Sequence, residues 1–123
     1  MKTIHDDGIP PPGGHYSPCV EHNGLLYISG QLPLDPNTGT IPEGIAAQTG
    51  QVLSNIGRLL HAAGSSREKV LQVRIYVSDI GLWDQVNEVY AAYFGGHKPA
   101  RCVVPSGRLH HGCLIEAEAL AFL

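Results

Sequence analysis

The sequence predicts an α+β domain in which two helices cover one face of a mixed β-sheet. Two segments, residues 45–63 and 82–94, repeat apolar residues at steps of three and four, the period of a helix with one buried stripe. Two others, residues 70–78 and 112–122, alternate apolar and polar residues, as a strand with unlike faces does. The 123 residues are 43% hydrophobic and only 15% charged, which fits one domain spanning residues 1–123 with a core of its own.

The elements follow in order. Residues 8–14 hold Pro10-Pro11-Pro12 and end in Gly13-Gly14, an entry loop that cannot pair in a central strand. Leu25-Leu26-Tyr27-Ile28-Ser29 is a short apolar run suited to a buried strand. Gln31-Leu32-Pro33-Leu34 and the turn signal Asp35-Pro36-Asn37-Thr38-Gly39 predict a hairpin-like excursion. The first helix carries Ile45, Thr49, Val52, Leu53, Ile56, Leu59, Leu60 and Ala63 on its stripe, with Gly64 as a left-handed cap. Gly50 and Gly57 weaken it by up to about 1 kcal/mol each relative to Ala, and leave room for a close backbone approach.

In the next strand Leu71, Val73, Ile75 and Val77 share one face, and Gln72, Arg74, Tyr76 and Ser78 the other. The second helix places Trp83, Val86, Asn87, Tyr90, Tyr93 and Phe94 on one stripe and stops at Gly95-Gly96. Residues 101–104 and 112–122 complete the order β, β, helix, β, helix, β, β. The sheet face away from the helices then carries Arg74, Tyr76, Glu116 and Glu118 among apolar neighbours. A symmetric oligomer would cover it and create charged clefts.

Composition narrows the function classes. A net charge of -3 argues against a dedicated nucleic-acid binder, which carries a basic excess to meet phosphates. Three cysteines, Cys19, Cys102 and Cys113, imply no disulfide framework and point to a reducing compartment. No apolar run reaches the ~20 residues that span a bilayer, and residues 1–7 lack the apolar core of a signal peptide. The expectation is a cytoplasmic protein.

Arg101 and Glu116 are the first candidates for chemistry. Arg grips planar carboxylates bidentately, and an acid flanked by Ile115 and Ala117 needs a partner or becomes available for proton transfer. A salt bridge between neighbouring strands explains the same spacing. Ser29 sits outside any G-x-S-x-G frame, so a strand-end serine bonded to backbone is the alternative to a site role. Tyr16 and Ser17 follow the Pro/Gly loop, and Asn87 lies on an apolar stripe where it must find hydrogen bonds. His15, Cys19 and His22, and again His110, His111 and Cys113, are metal-capable residues in intervals that match no standard zinc module. No phosphate-cradling glycine motif is present.

Gly14-His15-Tyr16-Ser17, then Ile28-Ser29-Gly30-Gln31-Leu32-Pro33-Leu34-Asp35-Pro36-Asn37-Thr38-Gly39, resemble the opening and signature of one family. Gln48-Thr49 with Val52-Leu53-Ser54-Asn55-Ile56, and Val86-Asn87-Glu88-Val89-Tyr90 with Tyr93-Phe94, resemble its helices. Pro99-Ala100-Arg101 and Ile115-Glu116-Ala117-Glu118-Ala119 close the pattern. The family is the reactive-intermediate, YjgF-like imine/enamine deaminases, also described as endoribonuclease L-PSP-like. The resemblance implies a chorismate-mutase-like α+β fold and a homotrimer with clefts between subunits. It implies cofactor-independent hydrolysis of 2-aminoacrylate and related 2-imino acids to 2-keto acids and ammonia. In that scheme Arg101 binds the substrate carboxylate and Glu116 activates water. Tyr16, Ser29, Asn87 and Cys102 complete the substrate-binding set, with no metal. His15, Pro18, Pro105 and His110 depart from the family pattern and bear on the substrate side chain more than on the reaction. An aminomuconate-like substrate and a non-catalytic trimer that binds small acids are the alternatives; an endoribonuclease fits the charge less well.

Overall fold

The computed structural model describes residues 1–123. Strands run over Lys2–Ile4 (β1), Cys19–His22 (β2), Leu25–Gln31 (β3), Val70–Val77 (β4), Ala100–Pro105 (β5) and Ile115–Phe122 (β6). Helices run over Ile45–Ala62 (α1) and Trp83–Phe94 (α2). The strands form one mixed sheet in the order β1-β2-β3-β6-β4-β5, in which only β4 and β5 are parallel. No helix is long and apolar enough to cross a membrane.

Both helices pack on one sheet face, as the two stripes require. Val52, Leu53, Ile56, Leu59 and Leu60 of α1 and Val86, Tyr90 and Phe94 of α2 enter one buried cluster. Val73, Ile75 and Val77 of β4 and Ile115, Ala117, Ala119 and Ala121 of β6 meet them from the sheet. Each large aliphatic side chain buried there contributes roughly 1.5–3 kcal/mol. The end of α1 is closed as its sequence predicts: Gly64 adopts φ 79, and Ser65 N donates to Leu60 O at 2.8 Å.

Three expectations are corrected. The first chain reversal is not the excursion at residues 31–39 but a two-residue hairpin at Asn23-Gly24, where φ is 52 and 79. Positive φ at both positions matches the right-handed twist of the paired strands β2 and β3. The Asp35–Gly39 turn does form, with Gly39 N donating to Asp35 O at 2.8 Å, but residues 32–34 join no strand. Second, Leu71 does not face the core. The pairing steps from Val70↔Ala121 to Gln72↔Leu120, so Leu71 is the extra residue of a bulge and is 41% exposed, while Val70 takes the buried place. Third, no second backbone of this chain uses the room at the helix glycines. Gly50 faces open space, and at Gly57 a Cβ would come within 2.8 Å of the Tyr93 hydroxyl.

That last difference sets an expected outcome. Gly50→Ala should raise unfolding free energy by about 0.5–1 kcal/mol through helix propensity alone. Gly57→Ala should fall short of that gain, because the Tyr93 ring must move. Urea denaturation of the two variants checks it; equal gains would mean that Tyr93 yields freely.

Candidate functional site

Glu116 and Glu118 both project from β6 onto the sheet face away from the helices, but only one of them is engaged. Glu118 Oε1 accepts from the Tyr76 hydroxyl at 3.0 Å and from Arg74 Nη1 at 3.4 Å. That carboxylate raises the Tyr76 phenol pKa by accepting its proton in a hydrogen bond. Glu116 takes part in none of the chain's three ion pairs and accepts no side-chain hydrogen bond. Its carboxyl lies against Gly30, where a Cβ would meet Cδ at 3.3 Å. Glycine at this position therefore leaves room for the acid.

The Glu116 carboxylate opens into a cleft of about 1310 Å³ that Tyr16, Ser29, Gly30, His110 and His111 also line. The Ser29 hydroxyl donates to Ser17 O at 2.6 Å, and Ser29 N donates to Pro18 O at 3.0 Å. Ser29 thus pins the segment that carries Tyr16, and its hydroxyl oxygen is left to accept from a ligand. Tyr16 is exposed at the rim. From the helix side, Asn55 Nδ2 donates to Leu32 O and Leu34 O at 3.0 and 2.9 Å, which fixes the loop after β3. Gln48 Oε1 accepts from Leu114 N at 2.9 Å and fixes the entry to β6.

Arg101 lies elsewhere. Its β5 position pairs with Val73, a core-facing residue, so its side chain turns to the helix side of the sheet. There the guanidinium carbon lies 4.7 Å from the Tyr90 ring centre and 5.4 Å from that of Trp83. Arg101 Nη1 donates to Asn87 Oδ1 at 3.0 Å, so the amide on the α2 stripe is satisfied by the arginine. Glu116 pairs instead with Tyr76, on the opposite face. The strands are not neighbours either, because β4 lies between β5 and β6. The salt-bridge explanation of the Arg101/Glu116 spacing is therefore excluded within one chain. Cys102, beside Arg101, pairs with Arg74 and points to the open face, exposed.

The metal-capable runs do not converge. Cys19 is fully buried on the helix side, whereas His15 and His22 are exposed. No three His, Cys, Asp or Glu side chains gather as a metal would need. All three cysteines are free, and burial pushes the Cys19 thiol up to about 11. Cys19 and Cys113 should accordingly resist a thiol reagent in the native protein, and all three should react after denaturation. Rapid native labelling of Cys19, read by mass spectrometry, would contradict its burial.

The family model described as Endoribonuclease L-PSP matches residues 8–123. The chain belongs to that family. Within the L-PSP family, it is 45% identical over 122 residues to a RutC family protein of Pyrococcus horikoshii, covering 98% of this chain and 97% of that one. It is 37% identical over 121 residues to the 2-iminobutanoate/2-iminopropanoate deaminase of Rattus norvegicus, covering 98% and 88%. The solved structure of E. coli TdcF with bound serine superposes with a TM-score of 0.95 at 30% identity, over 100% of this chain and 99% of that one. Arg101, Glu116, Tyr16, Ser29 and Asn87 are thus placed on a fold that L-PSP relatives share. Reasoning from the sequence grouped His110 and His111 as metal-capable residues, whereas they line the cleft; it missed Gly30 beside Glu116 and the aromatic neighbours of Arg101. The last had a signal: Trp83, Asn87 and Tyr90 are spaced i, i+4, i+7 on one helix stripe.

Proposed function

We propose that the protein is a hydrolytic deaminase of small 2-imino acids and their enamine tautomers, working in clefts between the subunits of a homotrimer. The observation that carries this reading is that a guanidinium and a carboxylate, Arg101 and Glu116, both lack an opposite charge and lie on opposite sheet faces. One chain offers half of a site on each face, and a second copy brings the halves together. Tyr27, Val104 and Phe122 are apolar and exposed on the open face, the kind of surface that a subunit contact covers. Relatives named 2-iminobutanoate/2-iminopropanoate deaminase support the substrate class.

The chemistry is modest. 2-Aminoacrylate takes a proton at its methylene carbon and gives one up from its nitrogen, becoming 2-iminopropanoate. Water adds to the imine carbon, and the carbinolamine collapses to pyruvate and ammonia. Arg101 would hold the carboxylate, Tyr16, Ser29 and the Cys102 backbone would shape the cleft, and Asn87 would act through Arg101. Glu116 would take a proton from the attacking water and return it to the departing nitrogen. No step calls for a metal or an organic cofactor.

The test is ammonia and keto-acid release from imino acids generated in situ, across a panel of side chains. Sedimentation equilibrium should give about three times the 13.2 kDa chain mass. A clean monomer would remove the shared cleft, and with it this arrangement of the site. The family's other description, endoribonuclease, predicts cleavage of RNA instead, and an RNA substrate in the same assay distinguishes the two.

A further inference from the structure

Arg58, Arg67 and Arg74 each pair with an acid, Asp6, Glu68 and Glu118 respectively. Of the two arginines without an acid, Arg108 is exposed and Arg101 is half-buried. Three residues of α2 surround Arg101 instead. Asn87 accepts from Nη1 at 3.0 Å, and the rings of Tyr90 and Trp83 lie near the guanidinium at 4.7 and 5.4 Å. Their i, i+4, i+7 spacing puts all three on one face of a helix anchored in the core by Val86 and Phe94.

All three partners are neutral. An aromatic face attracts a cation by its quadrupole without cancelling the formal charge. An amide oxygen orients an N–H as a carboxylate oxygen would, again without cancelling charge. The Tyr90 hydroxyl is the one buried side-chain polar atom that has no hydrogen-bond partner, so it is the ring that Tyr90 brings to the arginine. Burial pushes that phenol up to about 12, so no phenolate forms beside Arg101 near neutral pH.

We infer that Trp83, Asn87 and Tyr90 are positioning residues. They form a charge-neutral cradle that fixes the Arg101 guanidinium and leaves its positive charge and free N–H groups to the carboxylate of a small anionic substrate. The inference rests on the deaminase reading for the identity of that substrate, and not for the cradle itself.

The cradle makes an ordering that packing alone does not. Asn87→Asp is nearly isosteric, yet its carboxylate would pair with the guanidinium and compete with the ligand. Asn87→Ala loses the orienting bond but leaves the charge free. If Asn87 served only packing, the isosteric Asp would be the milder change.

The experiment has two arms on the full-length protein. In the first, the side-chain NMR signal of Arg101 is read without ligand. Wild type should show one ordered signal displaced by the ring currents of the two aromatics. Trp83→Leu should move it toward the position of a free arginine; Trp83 is 38% exposed, so this variant should fold. Tyr90→Leu should do the same, and Tyr90→Phe should restore it. In the second arm, 2-oxobutanoate, a keto acid of the expected product class, is titrated calorimetrically. Asn87→Asp should weaken binding tenfold or more, and Asn87→Ala less. With turnover, Asn87→Asp should raise KM more than it lowers kcat.

A free-arginine signal in wild type overturns the inference. So does keto-acid binding by Asn87→Asp equal to wild type, an Ala variant weaker than the Asp variant, or a wild type that does not bind 2-oxobutanoate. Keto-acid binding in the expected order without turnover of any imine would sink the deaminase reading and leave the cradle standing.

Discussion

Arg101→Ala should lose roughly thirty- to several-thousand-fold in kcat/KM for carboxylated imines, while the assembly stays intact. The magnitude follows from losing a charged partner in a partly buried cleft, about 2–5 kcal/mol. Arg101→Lys should also be badly impaired. Lysine keeps the charge, but it lacks the planar fork that grips a carboxylate at two points and the flat face that stacks on Tyr90 and Trp83. Steady-state kinetics on 2-iminobutanoate, with sedimentation to verify assembly, checks both variants. Wild-type turnover by a folded Arg101→Ala would end the carboxylate-clamp role.

Glu116→Gln should lower kcat by about two to four orders of magnitude, the range for removing a general acid or base, with a smaller change in KM. The amide nearly preserves shape beside Gly30, so the variant should fold and bind keto acid. Glu118→Gln is the contrast on the same strand. Glu118 already accepts from Tyr76 and Arg74, so its loss should tell on stability more than on turnover. Equal damage to kcat from both variants would argue against a special role for Glu116.

The helices were legible because their signals are local. The stripes of residues 45–63 and 82–94 fold as α1 and α2 within a residue of those bounds, and β6 alternates as written. The first two strands were not. β1 has three residues, too few to show a period, and β2 has four. The hairpin between β2 and β3 did carry its signal, Asn23-Gly24, but the longer Asp35–Gly39 turn drew the reversal to itself. Leu71 was misplaced because a bulge adds a residue that an alternating pattern cannot show. The faces of Arg101 and Glu116 were illegible for a different reason. Which strand lies between two others depends on pairings across the whole chain, and β4 separates β5 from β6.

That central position of β6 also governs how the molecule is built. Residues 115–122 lie between β3, residues 25–31, and β4, residues 70–77. On a ribosome, the first three strands and α1 emerge long before the strand that joins them to the rest. Until it arrives, β3 and β4 each expose an unpaired edge, and the apolar stripe of α1 lacks much of the surface that it will cover. The sheet closes late, over separations that reach from Gln31↔Ala117 to Leu25↔Phe122 in the β3–β6 pairing. Such topology slows folding and leaves sticky intermediates on the way. Chains halted before residue 115 should therefore be captured by chaperones or aggregate, with a native sheet forming only once the final strand is free.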